Sequence, residues 1–137
     1  MIGLFLEHGP CQITGDYSLV PNEYALTRLA DVFYIDQPVG AGYSTADATG
    51  YIADEEEMGE DFLQFLSNLV EIFPSLQKRP FYLMGESYAG HYIPYTTKAY
   101  FGKEDPPVRL AGTSVGDGDM AGDASLSAAM VASTRFI

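Results

Sequence analysis

The residues best suited to chemistry lie in the run RPFYLMGESYAGHYIP, Arg79 to Pro94. At its centre, Gly85-Glu86-Ser87-Tyr88-Ala89-Gly90 sets a serine between two different patterns. Pro80 to Met84 reads as a strand, and the residues after Ser87 read as a helix running into Tyr100, with Pro94 expected to bend it. A strand that breaks at glycine, presents a serine and continues as a helix is a nucleophile elbow. The serine must stand clear of the sheet on a tight turn, so small residues are needed wherever backbone and side chains would collide. Gly85 supplies the first; Ala89 stands where the second glycine of G-x-S-x-G would fall, with Gly90 next to it. The same turn would aim the backbone N–H of Tyr88 at a reacting carbonyl, which is one half of an oxyanion hole. A serine here can also cap the helix, and the two roles are compatible.

A serine nucleophile needs a base held by an acid. The sequence offers two histidines, His8 and His91. His91 follows Ser87 by one helical turn and is expected to point away from the reaction face. His8, in a Glu-His-Gly-Pro turn, suits packing or a hydrogen bond. Asp117 and Asp119, in Gly116-Asp117-Gly118-Asp119, could offer an acid but fit better as turn residues. The base and acid are therefore expected outside this stretch of chain.

The elements that must position Ser87 can be read from pattern. Asp31-Val32-Phe33-Tyr34-Ile35-Asp36 is a short apolar run closed by Gln37-Pro38-Val39-Gly40 and predicts a buried strand. Ala41 to Tyr51 reads as loop. From Asp54 to Phe73 the spacing of Met58, Phe62, Leu66, Leu69 and Phe73, widened by Leu63 and Val70, predicts an amphipathic helix that Pro74 ends. Asp54, Glu55, Glu56 and Glu57 crowd its first turn, where they complement the helix dipole; the spacing does not ask for a metal. Lys103 to Pro107 reads as a surface loop, Leu110 to Val115 as a third strand, and the Ala/Ser/Met-rich remainder as helix. Alternation of strand and helix gives an α/β fold with parallel pairing.

The totals are those of one globular domain, 137 residues at 47% hydrophobic, with 19 acidic against 7 basic residues. A net charge of −12 argues against a nucleic-acid or anionic-membrane surface. No apolar run approaches the roughly 20 residues that cross a bilayer, and the start lacks the basic and apolar regions of a signal segment. The single cysteine, Cys11, reads as a free buried thiol or as half of a bridge to a cysteine elsewhere.

GESYAGHYIP, together with ADVFYIDQPVGAGYS (Ala30 to Ser44), GLFLEHGPC (Gly3 to Cys11) and LAGTSVGDG (Leu110 to Gly118), resembles the serine carboxypeptidases, peptidase family S10. Asp117 stands where that pattern more often has Asn. The resemblance covers most of the chain up to about Gly122. It implies a partial α/β-hydrolase fold, central parallel strands with flanking helices and the elbow at Ser87. It implies Ser87 as nucleophile and Tyr88 as backbone oxyanion donor. Glu7 and Glu86 would be the two acids that bind the free C-terminal carboxylate of a peptide. No cofactor and no metal are implied, the partners are peptide or protein C-termini rather than nucleic acid or membrane, and the location is secreted or vacuolar.

The family carries a Gly-Gly-Pro-Gly-Cys-Ser-Ser segment before the residues matching Met1 to Gly3, and its acid and base after the residues matched here. Residues 1–137 are thus expected to form one partial domain lacking N-terminal and C-terminal portions. The expected function is serine-type carboxypeptidase chemistry, with the chain inactive alone and marginally stable or prone to aggregate. Alternatives are a non-enzymatic truncated product and another α/β-hydrolase, either an esterase or a carboxypeptidase-like acyltransferase.

Overall fold

The computed structural model describes residues 2–120; the Ala/Ser/Met-rich segment expected to be helical lies almost wholly outside them. The chain divides between Tyr51 and Ile52 into two compact units.

The first unit starts with a wide helical turn, Gly3–Glu7, closed by N–H groups of His8 and Gly9 donating to the Gly3 carbonyl at 3.0 and 3.1 Å. Gly9 passes so near Leu4 that an added Cβ would lie 1.8 Å from the Leu4 carbonyl oxygen, so no other residue fits. A small antiparallel hairpin follows, β1 (Cys11–Ile13) against β2 (Leu19–Pro21), with Cys11 opposite Pro21. The Asn22 amide ties the hairpin to the first turn by donating to the carbonyls of Glu7 at 3.0 Å and Gly9 at 2.9 Å. Cys11 is a half-buried free thiol.

Residues 31–36 are not a strand: they join neither sheet among the described residues. The apolar run signals burial of a side-chain row, but a strand also needs a neighbour to share ladder hydrogen bonds, and this unit offers only the short hairpin. The loop after it is organised instead by Asp36, whose carboxylate accepts from Tyr43 N–H at 3.1 Å and whose carbonyl accepts from Ser44 Oγ at 2.7 Å. The Tyr43 hydrogen bond holds the Asp36 carboxyl below its ordinary value of 3.8. Gly42, at φ 55°, lies against that carboxylate, where an added Cβ would sit 2.2 Å from Oδ2.

The second unit carries the main core. Helix α1 (Glu55–Ile72) begins where the Asp54 carboxylate accepts from Glu57 N–H at 2.9 Å. Glu57 in turn accepts from Ala53 N–H at 2.7 Å, so two orphan donors are satisfied. Its buried face is Met58, Gly59, Phe62, Leu63, Leu66, Leu69 and Val70, at the predicted spacing. Strand β3 (Pro80–Glu86) runs parallel to β4 (Arg109–Gly116), with Glu86 beside Gly116 at the end of the ladder. Helix α2 (Ala89–Phe101) connects them and passes through Pro94. Phe81 and Leu83 point inward, lining a small void with Phe62, Leu63, Leu66 and Val108, while Tyr82 and Met84 face out. Three central parallel strands were expected; the described residues hold two, because the 31–36 segment does not join them. The result is mixed α/β, a parallel pair with flanking helices.

Candidate active site

β3 ends at Glu86 and α2 begins at Ala89, so Ser87 and Tyr88 make the whole turn. Ser87 has φ 54°, in the left-handed region that a residue with a Cβ rarely enters. Tyr88 returns at φ −61°, already helical. Three backbone hydrogen bonds hold this arrangement. Ser87 N–H donates to the Gly116 carbonyl at 3.0 Å, and the Ser87 carbonyl accepts from Gly90 N–H and Asp119 N–H, both at 2.9 Å. The elbow is thus pinned from the turn that follows β4 as well as from its own helix.

The small residues divide the crowding between them. A Cβ on Gly85 would lie 2.4 Å from the Ala89 Cβ, so residue 85 must be bare and residue 89 can carry a methyl. A Cβ on Gly90 would lie 2.3 Å from the Asp119 carbonyl oxygen. The need for a second glycine is therefore met one position later than in G-x-S-x-G.

Ser87, Glu86 and Tyr88 are all exposed. Tyr88 is held by its side chain on three sides. Its hydroxyl donates to Glu55 Oε1 at 3.0 Å, its ring stacks on His91 with centroids 4.6 Å apart, and Tyr92 meets it edge-on at 5.0 Å. The hydrogen bond to Glu55, then the charge of that carboxylate, pushes the Tyr88 phenol above its ordinary value of 10.0. Burial does the same to Tyr92.

Both histidines are engaged elsewhere than at Ser87. His91 Nε2 is 3.7 Å from Asp119 Oδ1. His8 Nδ1 is 3.2 Å from the Tyr34 hydroxyl, which itself donates to the His8 carbonyl at 3.1 Å, and the two rings stack. His8 therefore has the hydrogen-bonding job its turn suggested. Asp117, at φ 46°, is a turn residue, as expected. Glu7 closes the first helical turn, with its carboxylate 3.9 Å from His8 Nε2; it belongs to the first unit and Glu86 to the second. Among the described residues no group of three or more His, Cys, Asp or Glu side chains could hold a metal ion, and no helix is long and apolar enough to cross a membrane.

Sequence reasoning missed Glu55 and the His91–Asp119 pair. Glu55 is one of several acids in the first turn of α1, and nothing in the spacing separates the one that meets Tyr88 from those that only complement the dipole. Asp119 meets His91 across the β4 turn, a contact without local periodicity.

Comparison with known proteins gives a consistent picture. The serine carboxypeptidase family profile matches residues 1–134. A venom serine carboxypeptidase of Apis mellifera is 40% identical over 122 residues, covering 86% of this chain and 26% of that protein. A vitellogenic carboxypeptidase of Aedes aegypti is 37% identical over 120 residues, covering 86% and 26%. The solved structure of a prohormone-processing carboxypeptidase from Saccharomyces cerevisiae superposes with a TM-score of 0.77 at 31% identity, covering 86% of this chain and 27% of that one. The chain thus spans about a quarter of the length of these relatives.

Proposed function

This chain belongs to the serine carboxypeptidase family, and from that premise we propose that it carries the nucleophile segment of a serine-type carboxypeptidase, with Ser87 as the attacking group. The observation that carries this reading is Ser87 itself, exposed at φ 54° between β3 and α2. Ser87 Oγ would attack the carbonyl of a peptide's last bond, its proton passing to a base and then to the departing amine. The acyl group would stay on Ser87 until water released it. The N–H of Tyr88, at the start of α2, would donate to the oxyanion as it forms.

Glu7 and Glu86 are the proposed acids for the substrate's terminal carboxylate. Carboxyl groups can hold another carboxylate only if a proton is shared among them, so substrate binding should favour acid pH and weaken through KM above neutrality. The Glu before Ser87 and the Tyr-Ala-Gly after it favour the carboxypeptidase over an esterase or lipase; acyl transfer by a carboxypeptidase-like protein is separated from it by substrate competition assays. The proposed setting is secreted or vacuolar, and the proposed domain is one partial α/β-hydrolase domain over residues 1–137. Because His91 and His8 serve Asp119 and Tyr34, the 137-residue chain should not turn over peptides by itself.

A fluorophosphonate probe tests the reading, since it modifies a serine only where a base activates it. We expect the native gene product to be labelled at Ser87 in a tryptic digest, Ser87→Ala to be silent, and the 137-residue chain to be unlabelled. A native product that is folded and unlabelled, or labelled at another serine, sinks the nucleophile assignment.

A further inference from the structure

We propose that Glu55 is a positioning residue for the elbow: from the head of α1 it holds the Tyr88 hydroxyl, and through that side chain the backbone N–H next to Ser87. The proposal rests on reading Ser87 as nucleophile and Tyr88 as oxyanion donor, and it adds the support that keeps the donor in place. The elbow needs such a support. Ser87 sits at φ 54°, a conformation that persists only where its surroundings enforce it, and its relaxation would swing the peptide group that follows. Tyr88 is where the backbone returns to helical angles. Its own helix braces the ring on two sides, through His91 at 4.6 Å and Tyr92 at 5.0 Å between centroids. The hydroxyl is held from a different element, donating to Glu55 Oε1 at 3.0 Å.

The head of α1 is a fixed support. Asp54 and Glu57 cap it, Met58 is wholly buried, and an added Cβ on Gly59 would lie 2.9 Å from the Tyr95 carbonyl oxygen of α2. α1 therefore cannot slide along α2 without breaking close-packed contacts. The other acids at this end have different partners. Glu56 accepts from Lys98 at 3.0 Å, Glu57 from Ala53 N–H at 2.7 Å and Glu60 from Lys103 at 2.6 Å. Glu55 is the acid turned to the elbow. A hydrogen bond to a carboxylate is stronger than one between neutral groups. The rise of the Tyr88 phenol above its ordinary value, caused first by this bond, agrees with the contact. Glu55 is half-buried and Tyr88 45% exposed, so solvent weakens the bond without replacing it.

Amide hydrogen exchange on the full 137-residue chain reads this support without any turnover. Ser87 N–H, bonded to the Gly116 carbonyl, and Gly90 N–H, bonded to the Ser87 carbonyl, report opening of the elbow. Their protection, taken relative to Leu66 in the α1 core, should fall about two- to fivefold in Glu55→Ala and in Tyr88→Phe, the range of a half-exposed charged contact. The double variant should fall no further than the larger single effect, because both changes remove one bond. Glu56→Ala, which releases Lys98 instead, should leave the ratio unchanged. In the native gene product, fluorophosphonate labelling of Ser87 at saturating probe should slow by a similar factor, with the half-saturating concentration unchanged. Tyr88→Phe loses a single oxygen at an exposed residue, so at least one variant keeps the fold. A ratio unmoved in Tyr88→Phe overturns the proposal, as do additive single effects, a fall shared by Glu56→Ala, or labelling that keeps its rate in both variants. A native product that takes no label sinks the nucleophile assignment alone, and the exchange ratios still decide this one.

Discussion

A methyl group added at residue 90 would sit 2.3 Å from the Asp119 carbonyl oxygen, and the obstacle is backbone. Gly90→Ala should therefore destabilise the chain by roughly 1–3 kcal/mol, the usual range for overpacking, as read by urea unfolding. It should also lower the exchange protection of Asp119. Tyr88 gives a pH prediction. Glu55 raises its phenol above 10.0, so the folded state binds that proton more tightly than the unfolded state. The contribution is complete below about pH 10 and is lost as pH rises through the higher folded value. Tyr88→Phe or Glu55→Gln should remove that alkaline decline, which stability measured from pH 9 to 12 would show. At this scale the sequence disclosed the strand–turn–helix around Gly85 and Ser87, which lies within one local stretch, but not why residue 90 must be glycine, since the obstacle there is the Asp119 backbone. It could not disclose Glu55 or Asp119, whose partners are brought to them only by packing.

Helices and strands differ in how much of themselves they carry. α1 was legible from Asp54 to Phe73 because its hydrogen bonds, its cap and its apolar row at Met58, Phe62, Leu66 and Leu69 are all internal to it. Asp54→Ala removes the acceptor for Glu57 N–H and should cost about 1 kcal/mol, visible as a lower unfolding midpoint. The 31–36 run was misread for the opposite reason, since a strand is completed by another segment. The approach of α1 to α2 was equally hidden. Gly59 lies where a Cβ would be 2.9 Å from the Tyr95 carbonyl oxygen, so Gly59→Leu should force the helices apart and destabilise by more than the cap variant. The Lys98–Glu56 pair spanning the same helices is 69% and 57% exposed and should matter little beside it.

Among the described residues, the second unit has a core and a parallel pair whose outer face is exposed. Tyr82 is 62% exposed and Met84 59%, side by side on one face of β3. Apolar surface on a two-stranded sheet invites association. Sedimentation should show self-association that grows with protein concentration, and Met84→Lys should reduce it; a monomer at every concentration would contradict this. The φ of 54° at Ser87 has a further consequence for the molecule's stability. Outside glycine, a left-handed residue is held against its preference at about 1–2 kcal/mol, so this serine works against folding. Ser87→Gly should melt above Ser87→Ala although both lack the hydroxyl. Drift towards greater robustness would replace first the serine proposed here as the nucleophile.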